Sequence, residues 1–181
     1  MTIEITNESG VDVDETVLLR LTAHNLAEVN VSPDADVAIL LVDEGAMEAL
    51  HVQWMDEPGP TDVLSFPMDE LRPGTQEQPT PPGLLGDIVL CPPVARRQAE
   101  AAGHSVADEL CLLTTHSLLH LLGHAFRCRN QHASRHRIML CLGDEIVGHV
   151  DGVRGLIRQD GDFGRASLRI GTDHPAHRPF G

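Results

Sequence analysis

Residues 106–124 read VADELCLLTTHSLLHLLGH, and the arrangement of the rest of the chain follows from this stretch. Leu110, Leu112, Leu113, Leu118, Leu119, Leu121 and Leu122 make a helix over 106–122 apolar nearly all round, so it belongs at the centre of the molecule. Ser105, followed by Asp108, is a helix start with acid near the positive end of the helix dipole. Gly123 stands where the helix has to stop if the chain is to double back. Into this apolar surface are set His116 and His120. Residues four apart share a helix face, roughly 6 Å apart at the backbone, so both imidazoles can reach one metal ion. Zinc takes nitrogen ligands at about 2.0–2.1 Å, and catalytic sites have three protein ligands plus a water, whose pKa the metal brings toward about 7. Unpaired imidazoles are costly to bury, which favours a ligand role over an incidental spacing. Position 117 is Ser, so the motif is not H-E-x-x-H and lacks the metalloprotease general base.

Working outward, Thr2–Thr6 alternates as a short strand and Asn7-Glu8-Ser9-Gly10 turns the chain. Val17, Leu18, Leu21 and Leu26 predict a helix over 14–29 with Asp14 as N-cap. Val37–Val42 is a continuous apolar run, hence a buried strand. Met47, Leu50 and Trp54 mark one face of a helix over 44–54, with Trp54 expected in the core, and Pro58-Gly59-Pro60 ends it. Val63–Phe66 is a short strand, residues 68–84 an exposed Pro-rich loop, and Gly86–Cys91 another strand. Pro92 and Pro93 open a helix running to about Ala102. A further helix is expected over 138–150 and a poorly ordered tail over 151–181. The alternation of strands and helices predicts one α/β (α+β) domain over 1–150, with a small mixed sheet and a central His-bearing helix.

The 181 residues suit a single domain, 41% hydrophobic. No apolar run is long enough to span a membrane and the N-terminus lacks the regions of a signal peptide. Cys91, Cys111, Cys128 and Cys141 form no C-x-x-C pair, so a reduced, cytoplasmic protein is expected. The net charge of −14 argues against non-specific binding to polyanions, yet it is divided: −17 over residues 1–123 and +3 over 124–181, every base being Arg.

Several separated strings now line up: Asn7-Glu8-Ser9, Leu41-Val42-Asp43, Pro60-Thr61-Asp62-Val63-Leu64-Ser65-Phe66-Pro67, Leu85-Gly86-Asp87-Ile88-Val89 and His116-x-x-Leu119-His120-Leu121-Leu122-Gly123. In this order they resemble the YbeY family, particularly its actinobacterial members with a Pro-rich loop before the Gly-Asp-Ile strand. The resemblance covers residues 2–123. It implies a zinc-dependent, single-strand-selective endoribonuclease acting in 16S rRNA maturation and ribosome quality control. RNA and the ribosome would be its partners, with one zinc ion and no small-molecule cofactor.

Two positions depart from the family pattern. The family's third zinc ligand falls six residues after the second His, where this chain has Phe126. An Arg that many members carry six residues before the Thr-Asp pair is replaced by Met55. The third ligand is then His124, if two residues have been lost before it, or His132 or His136 folding back, or the site is incomplete. A continuing helix would put His124 about 12 Å from His116 along the axis, so the chain must break at Gly123 for His124 to serve. The resemblance lapses between Gly123 and Met139 and returns over Met139–Val147, as expected for a local reading-frame change or a sequencing error restored near Ile138, or for true divergence of this stretch.

Other polar residues carry two readings each. Asp87 either orients a histidine or caps local amides. Asp62 is read as a structural cap rather than a base, and Ser65 has no base to activate it. Arg96, Arg97, Arg127, Arg129, Arg135 and Arg137 are the candidates for RNA phosphates, or a solvated cluster.

Overall fold

A computed structural model describes residues 1–123. The expected elements at 138–150 and 151–181 lie outside them, as do Phe126 and the candidates His124, His132, His136, Arg127, Arg129, Arg135 and Arg137. Within the described residues the chain forms β1 (Thr2–Asn7), α1 (Glu15–Glu28), β2 (Ala35–Leu41), α2 (Glu44–Met55), β3 (Val63–Pro67), β4 (Gly83–Leu90), α3 (Pro92–Ala102) and α4 (Val106–Leu121). The strands make one mixed sheet in the order β1-β2-β4-β3. β1, β2 and β4 run parallel, and β3 pairs antiparallel with β4 at the edge. The α/β expectation and the mixed sheet therefore hold.

Local chemistry explains where the four helices begin. Asp14 caps α1 by accepting from the Thr16 amide at 3.1 Å, and Asp43 caps α2 through the Ala46 amide at 2.8 Å. Ser105 Oγ accepts from the Asp108 amide at 3.0 Å and donates to Asp108 Oδ2 at 2.8 Å. Pro92 opens α3, where its missing N–H deprives the helix of nothing. Gly123, at φ +76°, takes the left-handed conformation that ends α4.

β4 starts three residues earlier than the sequence predicts. Gly83 and Leu84 pair with Ala35 and Asp36, then the register slips by one residue so that Gly86 faces Val37. Gly86 sits at φ +132°, and a Cβ there would run into the carbonyl oxygen of Phe66 on β3. Only glycine allows the irregularity and the close strand approach together. The Pro-rich connection is correspondingly shorter. It is exposed for most of its length but anchored: the Gly74 amide donates to Val29 O, the Thr80 amide to Asn30 O (3.0 Å each), and Leu71 is buried.

Strand parity divides the core. Ile3, Val37, Ile39, Leu41, Ile88 and Leu90 project to one face and pack with α1 and α4 into the larger cluster. Leu40, Leu64, Phe66 and Val89 project to the other, where Val42, Met47, Leu50, Cys91 and Val94 complete a smaller one. Trp54 corrects the sequence reading. It is 60% exposed and meets Phe66 edge-on at 5.5 Å between ring centroids, a lid over the sheet and not part of the core. Helical spacing gave its direction correctly, but no element lies beyond α2 on that side among the described residues to cover it.

Candidate functional site

The two histidines reach their place because α4 is held on all sides. It packs against α1, α3, β3 and β4, and ten of its sixteen residues are buried. Asn25 Nδ2 of α1 donates to Thr115 Oγ1 at 3.0 Å, fixing the helix one residue before His116. His104 Nε2 lies 3.0 Å from Glu109 Oε2, pinning the first turn. Neither of these polar contacts announces itself in the sequence.

His116 and His120 are half-buried, and their Nε2 atoms face each other at 2.9 Å. Their rings meet edge-on, 80° between planes. Burial drives the His116 pKa down to about 4, with the neighbouring His120 adding to the effect. Burial likewise lowers that of His120. Both rings are therefore neutral at pH 7, the state in which imidazole ligates a metal. As a bare pair, one Nε2–H donates to the other's lone pair.

The same convergence suits a cation. Two nitrogens bound tetrahedrally at about 2.0–2.1 Å stand about 3.3 Å apart, a few tenths of an ångström beyond the present separation. The pair thus fits as two ligands of one zinc. Among the described residues no group of three or more His, Cys, Asp or Glu could hold a metal.

Asp87 and Ser65 fall on opposite faces of the sheet. Asp87 pairs with Ala38 and Phe66 in register and lines a groove with Leu50, Trp54 and Val89. That groove is on the sheet face opposite α4, so Asp87 does not orient either histidine. Asp62, 1% exposed, accepts from Thr61 Oγ1 at 3.1 Å and the Val63 amide at 2.8 Å, the contacts of a cap. Ser65 projects toward the α4 face of the sheet. Arg97 is engaged by Glu44 through two hydrogen bonds of 2.7 and 3.0 Å, which lower the Glu44 pKa and raise that of Arg97. Arg96 is exposed beside it.

Sequence reasoning overlooked Arg72. Its Nη1 donates to Gly123 O at 2.9 Å, from the β3–β4 connection to the end of the His-bearing helix. The negative end of the helix dipole favours a cation there, but nothing in a Pro-rich stretch shows which helix it will meet.

Residues 3–150 match the family model described as Endoribonuclease YbeY. Endoribonuclease YbeY of Clavibacter michiganensis subsp. michiganensis is 68% identical over 123 residues, covering 68% of this chain and 80% of that protein. Its counterpart in Thermobifida fusca is 54% identical over 149 residues, covering 81% and 92%. The solution structure of TM1509 from Thermotoga maritima is similar in fold, with a TM-score of 0.52 and 25% identity over 91% of this chain and 99% of that one.

Proposed function

The chain belongs to the YbeY endoribonuclease family, and on that premise we propose that it hydrolyses phosphodiester bonds of single-stranded RNA, acting in 16S rRNA maturation and ribosome quality control. The carrying observation is the facing pair of neutral imidazoles on a buried helix, 2.9 Å apart. His116 and His120 would hold one zinc ion, with His124 as the third ligand. When bound, the zinc would supply Lewis acidity toward a phosphoryl oxygen and make water more acidic.

The chain's own contribution is preparation. Burial keeps both rings unprotonated and the surrounding leucines restrict water around them. The contacts from Asn25 and His104 hold the helix that carries them. The Phe126 departure supports a second reading, a family member that keeps the fold and has lost activity.

Zinc per chain, by native mass spectrometry, and cleavage of a single-stranded RNA test the proposal together. We expect about one zinc in the parent, and its loss in His116→Ala and His124→Ala. Cleavage should fall by about a thousandfold or more in His116→Ala, since a metal contributes several kcal/mol to such a reaction. Zinc retained in His124→Ala moves the third ligand to His132 or His136. A parent without zinc or cleavage favours the inactive reading, and cleavage surviving His116→Ala refutes the metal mechanism.

A further inference from the structure

We propose that Arg72 is a substrate-contacting residue: its guanidinium takes a phosphate of the RNA strand where that strand passes the C-terminal end of α4. The inference rests on the nuclease reading above.

Residues 1–123 carry 21 acids and only four bases, Arg20, Arg72, Arg96 and Arg97. A polyanionic strand brought to this surface needs a positive contact near the point of chemistry. Arg97 is already bound by Glu44. Arg96 stands beside it on α3. Arg72 is the base delivered to the histidines' own helix. Its Nη1 donates to Gly123 O at 2.9 Å, and the Gly123 amide donates to His120 O at 2.9 Å. Two hydrogen bonds in series thus separate the guanidinium from the main chain of a candidate ligand.

The placement is imposed by the fold. Thr80 Oγ1 donates to Arg72 O at 2.7 Å, the Gly74 and Thr80 amides are tied to the end of α1, and Leu71 is buried immediately before it. Glycine at position 123 makes room, because a Cβ there would collide with the Arg72 guanidinium. The neighbouring acid Asp69 is taken up by the Leu84 amide at 2.8 Å. Guanidinium has five N–H donors in a planar fork. One serves Gly123, and the exposed remainder suits a phosphate. A side chain already ordered in this way loses little freedom on binding.

The simpler role, a cap on the last turn of α4, is separable by charge. Gln at position 72 keeps an N–H for Gly123 O but carries no charge, whereas Lys keeps the charge. The full-length parent, Arg72→Gln and Arg72→Lys would be compared for steady-state cleavage of a fluorescein-labelled single-stranded oligoribonucleotide over a potassium chloride series. Thermal melting would be recorded for each. We expect Arg72→Gln to raise KM about tenfold, the loss falling in KM and not in kcat. The log–log salt slope should flatten by about 0.7, one phosphate's share for a single strand, with the melting temperature kept. Arg72→Lys should restore most of the slope. An active parent with KM and slope unchanged in Arg72→Gln overturns the proposal and leaves the nuclease reading intact, as does a lowered melting temperature with unchanged slope. A parent that cleaves no RNA removes both, and is recognised without any variant.

Discussion

α4 and α2 lie on opposite faces of one sheet, and sequence gives both of them apolar faces. In α4 ten of sixteen residues are buried, whereas in α2 Met47 alone is buried among twelve. The two histidines of α4 are consequently half-buried, and burial lowers their pKa. The apolar groups of α2, Val52, Trp54 and Met55, stand in solvent. The contrast teaches that an anomaly is informative only against its surroundings. A histidine on a covered helix needs a reason, because burial disfavours it. A tryptophan on an uncovered helix merely extends the sheet's own apolar surface.

Substitutions can break or sharpen this contrast. The largest effect is expected at Leu118, 2% exposed in the middle of α4. Leu118→Ala should lower unfolding free energy by about 2–5 kcal/mol in urea titration. A loss under 1 kcal/mol would mean that α4 is no more tightly held than α2. Next comes the sheet both helices share. Gly86→Ala should destabilise by at least about 2 kcal/mol, from a positive φ and the forced contact with Phe66. Its near-UV signal from Trp54 over Phe66 should change along with the stability, since β3 must move.

Acid should act through α4. The unfolded chain protonates His116 near pH 6.5, but the folded chain holds it neutral down to about 4. Across that window the unfolded state binds more protons, so stability falls as the pH drops from about 6.5 toward 4, and above the window this group has no effect. In EDTA-treated protein the urea midpoint should be lower at pH 5 than at pH 7, and the difference smaller in His116→Gln. An equal difference in both would assign the acid sensitivity elsewhere. The smallest effect is expected on α2. Trp54→Ala should cost about 1 kcal/mol or less, the scale of one aromatic pair. A loss matching Leu118→Ala would show Trp54 to be core after all.

Much of this was legible residue by residue. Asp14, Pro92 and Ser105 mark helix starts because capping is local chemistry, and the leucines of 106–122 mark a central helix because their pattern closes all faces. The misreadings share one cause, a dependence on partners distant in the chain. The early start of β4 depends on pairing with Ala35 and Asp36. The exposure of Trp54 depends on what fails to cover α2. Strand parity puts Asp87 and Ile88 on opposite faces, but which face receives α4 is a matter of topology. Arg72 was missed for the same reason, since its partner Gly123 lies 51 positions away. The pair His116–His120 was found because its geometry needs nothing beyond one helical turn.

That independence has a consequence for affinity. When one imidazole of the pair engages an ion, the other is already within reach, tethered by four residues of rigid backbone and not by a flexible linker. The second contact is then intramolecular, at an effective concentration far above that of any free imidazole in solution. Spacing by helical rise would also make such chelation insensitive to motions elsewhere, since opening a loop or fraying an edge strand moves neither residue along the helix. What the surroundings tune is whatever closes the coordination from outside the turn.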